Sequence, residues 1–258
     1  MTDLVALKAA NVRRWNAAKL TRGPEFLPVA KRLVAAKQRY MTVAVQTGIP
    51  WVFIAVTHQR ESSQNWSGSL AQGDPWDKVS VHVPKGRGPF KSWEEAAYDA
   101  LVNCPPHAAS NKDWSIGGLL TLLERYNGVG YANRGLPSPY LWSGTDQYSK
   151  GKYIRDGVFD PEAVDKQLGC AGLIMAMMSL DATIRFDGAA ITQKTTLPPP
   201  KKPVSTATKT GAGAVVAGTA GTIAVGIHQG WGVTPWLVAG GLAIGFALVM
   251  YLFHKADK

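Results

Sequence analysis

The sequence predicts an α+β chain, mostly helical, with one small β-hairpin and a transmembrane tail at its C-terminal end. Three observations predict this. Apolar residues recur at helical spacing through most of the chain up to residue 192. A single short run, Val79-Ser80-Val81-His82-Val83, alternates between apolar and polar and is bounded by turn residues. After Lys209, no Asp, Glu, Lys or Arg occurs until Lys255.

Composition agrees with this class. A chain of 258 residues, 46% hydrophobic and with 9 Trp, can bury the core of one domain and carry appendages, which excludes disorder as the overall state. The net charge of +10 is unevenly spread: nine Lys/Arg stand against two Asp/Glu in 1–40, fourteen against fifteen in 41–200, and five against one in 201–258. A nearly neutral middle disfavours a nucleic-acid groove, whereas basic ends suit anionic membranes or envelope polymers. Cys104 and Cys170 are too few for a disulfide framework and read as buried thiols. No spacing of His, Cys or carboxylates suggests a metal site, and no cofactor is expected.

The elements follow in order. Leu4, Leu7, Val12 and Trp15 recur near helical spacing among Lys8, Arg14 and Lys19, so 1–45 opens with a basic helix that either packs on the domain or lies on a membrane. Residues 29–46 read as one helix, ended by Gly48. Pro50 suits a first helical turn, and the apolar run through 61 forms the next helix. Val79–Val83, between Asp74-Pro75 and Pro84-Lys85-Gly86, supplies the hairpin. Ser92-Trp93-Glu94-Glu95 is a capping box opening a helix through 103, and Asp113 caps another over 114–125. Asp160-Pro161 starts a last helix over 162–180. The main domain thus covers 46–192.

Thr195–Pro203 is proline-rich and reads as a stiff linker, 193–210. The hydrophobic tail, 211–253, holds two apolar runs. The second, 233–253, has about the 20 residues needed to cross a bilayer and is flanked by Trp231, Trp236 and Tyr251. If 211–227 also spans, the tail is a helical hairpin whose flanking lysines place both ends, and the domain, in the cytoplasm. With one span the flanking Lys counts are close to balanced, and a domain outside the inner membrane becomes possible. The first 20 residues contain no apolar signal-peptide core.

One residue dominates the chemistry. About eleven residues at 1.5 Å each carry the chain roughly 16 Å from Pro50 to Glu61, where an apolar helix delivers a carboxylate into the polar turn Ser62-Ser63-Gln64-Asn65. Desolvation there favours the protonated form, which is what a proton donor to a glycosidic oxygen requires. His58, one turn earlier, is either a polarising neighbour or a structural histidine.

The pair Glu61-Ser62, followed later by Glu124-Arg125-Tyr126-Asn127-Gly128, resembles motifs of lytic transglycosylases and goose-type lysozymes over about 45–180. Gly73-Asp74-Pro75, Val81-His82-Val83-Pro84 and Ser138-Pro139-Tyr140-Leu141-Trp142 resemble segments of bacteriophage lysozyme-like proteins. The resemblance implies a lysozyme-like fold, Glu61 as general acid/base, and Ser62, Tyr126 and Asn127 in the substrate cleft. Asp74 and Ser80 match the Glu, Asp, Thr order of phage lysozymes, with Ser in place of Thr, and become further catalytic candidates. Tyr131, Tyr140 and Trp142 are candidate sugar-contacting aromatics.

The implied activity is cleavage of the MurNAc-GlcNAc β-1,4 bond of peptidoglycan by hydrolysis or transglycosylation, in a membrane-tethered phage endolysin used for host lysis. The expected partners are peptidoglycan glycan strands, the bacterial inner membrane and a holin, with no nucleic acid. A virion-associated lysin, and a non-catalytic glycan-binding or holin-like membrane protein, are the alternatives.

Overall fold

The structure, a computed structural model, describes residues 2–186. The linker expected at 193–210 and the tail at 211–253 lie outside the described residues. Asp3 opens α1 (Leu4–Ala17) by accepting hydrogen bonds from the Val5 and Ala6 amides. Two helices, α2 (Gly23–Ala35) and α3 (Lys37–Thr47), replace the single helix expected over 29–46. The break at Ala36 turns the chain so that Phe26, Ala30 and Leu33 on one helix and Tyr40 and Val43 on the other all reach the core. Gly48 ends α3 in the left-handed conformation expected of a helix-terminating glycine.

Pro50 lies just before the first turn of α4 (Trp51–Ser62), at its N-cap position, and every residue from Trp51 to His58 is buried. A helix apolar on all sides belongs at the centre of a bundle. Ser92 caps α5 (Trp93–Val102) by accepting from the Glu95 amide, while the Glu95 carboxylate accepts from the Lys91 amide. A 3-10 turn, Ala108–Ser110, precedes α6 (Ile116–Asn127). Its cap is Ser115, and Asp113, expected in that role, accepts instead from the amide and hydroxyl of Ser115. The single-turn helices α7 (Gly130–Asn133) and α8 (Pro139–Trp142) follow. Next comes an antiparallel pair, β1 (Lys152–Arg155) and β2 (Val158–Asp160), and then α9 (Cys170–Met178).

The architecture is therefore mostly helical with one two-stranded sheet, but the sheet is not where alternation placed it. At 79–83 the chain is an irregular loop. The Val81 and His82 amides, which a ladder would have used, donate to the Asp74 carboxylate at 2.9 and 3.0 Å, and Val79, Val81 and Val83 all face solvent. The hairpin lies at 152–160 instead, turned by Asp156-Gly157 with Gly157 at φ 72°. The last helix also starts later than residue 162. Asp160 does cap a turn by accepting from the Glu162 and Ala163 amides, but Asp165 is then drawn into the interior and the helix begins only at Cys170.

Packing places α4 at the centre, against α3, α6 and α9, while α2 also packs on α9 and α1 on α6. The region 1–45 is thus part of the main core and not an appendage. Buried Asn11 of α1 donates to the Glu124 carboxylate of α6 at 3.3 Å, so this helix is docked on the domain. Cys104 and Cys170 are free and buried. Among the described residues no single helix is long and apolar enough to cross a membrane.

Candidate active site

Glu61 sits in the last turn of α4, and the chain reverses just after it. Ser63 and Gln64 are both left-handed, at φ 55° and 61°, and their amides close the helix end on Gln59 and His58 carbonyls. Consecutive non-glycine residues in this region store strain and persist only where neighbours over-determine them. His58 is such a neighbour: one ring nitrogen meets the Tyr40 hydroxyl and the other the Asn65 carbonyl, each at 3.0 Å. Packed among Tyr40, Trp66 and Trp93, its imidazole is pushed by burial down to about 4 and stays neutral. His58 is a brace behind Glu61.

A second support comes from the loop after the turn. A Cβ on Gly73, which has φ 77°, would lie 2.9 Å from the Glu61 carbonyl oxygen, so only glycine lets this loop rest on the backbone of the catalytic candidate. The Tyr126 hydroxyl at the end of α6 donates to the Leu70 carbonyl at 3.1 Å and ties the same loop down.

The carboxyl of Glu61 accepts a 2.8 Å hydrogen bond from the Tyr140 hydroxyl of α8. Burial raises its pKa to about 7, against the opposing effects of that hydrogen bond and of Arg60. Near neutral pH, Glu61 therefore divides between donor and acceptor forms, as a general acid/base must. Tyr140 and Arg60 also line an open cavity of about 390 Å³ with Asn127, Tyr131, Lys152, Asp165 and Gln167. This is large enough for part of a sugar chain.

The sequence-derived candidates separate into groups. Asn127, Tyr131 and Tyr140 line this cavity, Glu61 is joined to it by the hydrogen bond from Tyr140, and Tyr126 stands near Glu61 outside the lining. Ser62 donates to the His58 carbonyl within its own helix at 3.2 Å. Trp142 is fully buried and offers no face to a sugar, so its expected stacking role is corrected to a core role. The Tyr131 hydroxyl accepts from the Tyr153 amide and thereby fixes β1 beside α7.

Asp74 and Ser80 line a different recess, of only about 10 Å³. Besides the two amides, Asp74 meets the His82 ring at 2.6 Å, and these contacts hold its carboxyl below the usual range. Ser80 donates to the Pro84 carbonyl and accepts from the Arg87 amide at 2.9 Å. Both residues shape the loop 74–87.

Arg60, Asp165 and Lys152 were not singled out from sequence. Their link spans 105 positions between Arg60 and Asp165, and only the fold brings them together. Among the described residues, no group of three His, Cys, Asp or Glu side chains is placed to hold a metal ion. No family model, no curated protein and no solved structure matches this chain.

Proposed function

We propose that this chain is a peptidoglycan-cleaving muramidase acting on the MurNAc-GlcNAc β-1,4 bond. The observation that carries the reading is Glu61: a carboxyl raised to about 7 and held by the hydroxyl of Tyr140, which, like Arg60, lines an open cavity of about 390 Å³. The motif resemblance of Glu61-Ser62 and Tyr126-Asn127 supplies the substrate class. In this scheme Glu61 donates its proton to the departing glycosidic oxygen.

The single-carboxylate route is the one these contacts favour. A two-carboxylate glycosidase needs a second carboxylate across the scissile bond, and Asp74, the candidate the sequence offered for that role, has both oxygens engaged within its own loop and lines a different recess. The substrate's N-acetyl group then assists departure. The ionised Glu61 takes the proton of the 6-hydroxyl as that oxygen closes on the anomeric carbon. The product is a 1,6-anhydro end, and no water is consumed.

The biological setting follows from the sequence. With a Pro-rich linker at 193–210 and an apolar tail at 211–253, the enzyme is a membrane-tethered endolysin working on the wall beside the inner membrane. A holin is the partner that a cytoplasmic-side domain requires.

The test is digestion of purified peptidoglycan with mass spectrometry of the released muropeptides. Glycan fragments with anhydro ends are expected from the wild-type protein, and a folded Glu61→Gln variant should be slower by about 10²- to 10⁴-fold. Wild-type-like turnover by that variant, or no glycan cleavage by the wild-type protein, overturns the reading.

A further inference from the structure

A buried cation beside a proton donor opposes its function, because it favours the ionised carboxylate. Arg60 is such a cation. It directly precedes Glu61, is 9% exposed, and its guanidinium lies 4.8 Å from the ring centre of Tyr140, the residue that donates to Glu61.

Asp165, in the segment between β2 and α9, answers it. Its carboxylate is 2% exposed and accepts from Arg60 Nη2 at 2.9 Å and from Lys152 Nζ at 3.0 Å. Its backbone is fixed as well, since its amide donates to the Tyr148 hydroxyl and its carbonyl accepts from Ser143 Oγ. The other groups around Glu61 are neutral or turned elsewhere. Tyr126 of α6, Tyr140 of α8 and Cys170 of α9 are buried hydroxyls or a thiol with raised pKa values. His58 on α4 is neutral, and Asp74, next to the Gly73 that touches Glu61, is spent on Val81 and His82.

We propose that Asp165 is a positioning residue for the proton donor: it neutralises Arg60 and pins the guanidinium against Tyr140, so that Glu61 keeps its proton beside a cation. The link from this pair to turnover rests on Glu61 being the general acid. The charge relation itself does not. Replacing Asp165 by the isosteric Asn leaves two cations, Arg60 and Lys152, with no carboxylate between them. Glu61 must then ionise at lower pH.

The experiment follows the Glu61 carboxyl directly by carbon-detected NMR in the full chain labelled at glutamate, with Glu61→Gln assigning the signal. In Asp165→Asn the titration midpoint of Glu61 should fall by about one pH unit or more. The alkaline limb of the pH–rate profile on peptidoglycan should move down with it. Arg60→Met should move the midpoint up, and the double variant Arg60→Met/Asp165→Leu should return it toward wild type.

An unchanged or raised midpoint in folded Asp165→Asn overturns the proposal. If that variant does not fold, Lys152→Met decides. It removes a partly exposed charge and leaves Asp165 to oppose Arg60 alone, so the midpoint must rise, and no change or a fall overturns the proposal. Midpoints that shift as stated in the variants, together with a wild-type protein that cleaves no glycan, sink the muramidase reading and leave the charge relation standing.

Discussion

The Tyr140 hydroxyl donates to Oε1 of Glu61 at 2.8 Å, across 79 positions of sequence. Tyr140 is itself almost fully buried, so the bond is made at the junction of core and cavity. Its effect on acidity opposes that of burial: a donor to a carboxylate favours ionisation, and desolvation disfavours it. Burial wins, and the midpoint of Glu61 stays near 7.

Removing the donor should therefore raise the pKa of Glu61 further. Tyr140→Phe keeps the ring over Arg60 and deletes only the hydroxyl. The alkaline limb of the pH–rate profile is expected to move to higher pH, with a loss of about 1 kcal/mol in stability from the missing hydrogen bond. Rate profiles and urea melts on the same preparation check both. An alkaline limb that moves down would show that Tyr140 does not act on Glu61 as a donor to its carboxylate.

The same acidity has a consequence for stability. A carboxyl with its folded pKa raised from 4.5 to about 7 imposes no penalty when protonated in both states, below pH 4.5. The penalty grows as pH rises from about 4.5 to about 7, and it then stays constant at up to about 3 kcal/mol. Glu61→Gln removes it. The variant should be more stable than wild type at pH 8 by up to that amount and equally stable at pH 4, as read by denaturant unfolding at the two pH values. Asp165 has the opposite sign, because its folded pKa is depressed, so its contribution is present above its unfolded pKa and is lost in acid.

The candidate site was legible where local rules suffice. Pro50 and the uninterrupted apolar run mark α4, and its length puts Glu61 at the exit; Ser92 with Glu95 marks α5 by capping chemistry. Alternation failed at Val79–Val83, since a strand needs partners for its amides and Asp74, seven and eight residues upstream of Val81 and His82, takes them. The true hairpin has strands of four and three residues, too short for periodicity, and its one cue was Asp156-Gly157. Tyr140 was visible as an aromatic near the site but not as the donor to Glu61. Arg60, Asp165 and Lys152 had no local signature, because buried charge pairs are made by tertiary proximity.

The tail gives a prediction independent of the site. About 20 apolar residues at 233–253 suffice to span a hydrocarbon core of roughly 30 Å. The full chain should sediment with membranes and resist extraction by high salt. A chain ended after Leu197 should stay in the supernatant. Salt-released full-length protein would mean that basic residues alone hold it to the bilayer.

Asp74 decides between chemistries. Its two oxygens bind the Val81 amide, the His82 amide and the His82 ring, and Gly73 beside it rests on the Glu61 backbone. Both backbone amides bond to one oxygen and the His82 ring to the other, so Asp74→Asn keeps the amide bonds only on a neutral, weaker acceptor and turns its NH2 toward the ring. Hydrogen exchange at Val81 and His82 should therefore quicken. If Glu61 works alone, the variant should continue to release anhydro-ended muropeptides, at a rate reduced only by the loosened loop. If Asp74 is the second carboxylate, turnover should collapse by orders of magnitude while wild-type products carry reducing ends. Anhydro products from wild type and variant alike support the single-carboxylate route, and reducing ends from the wild-type protein rule it out.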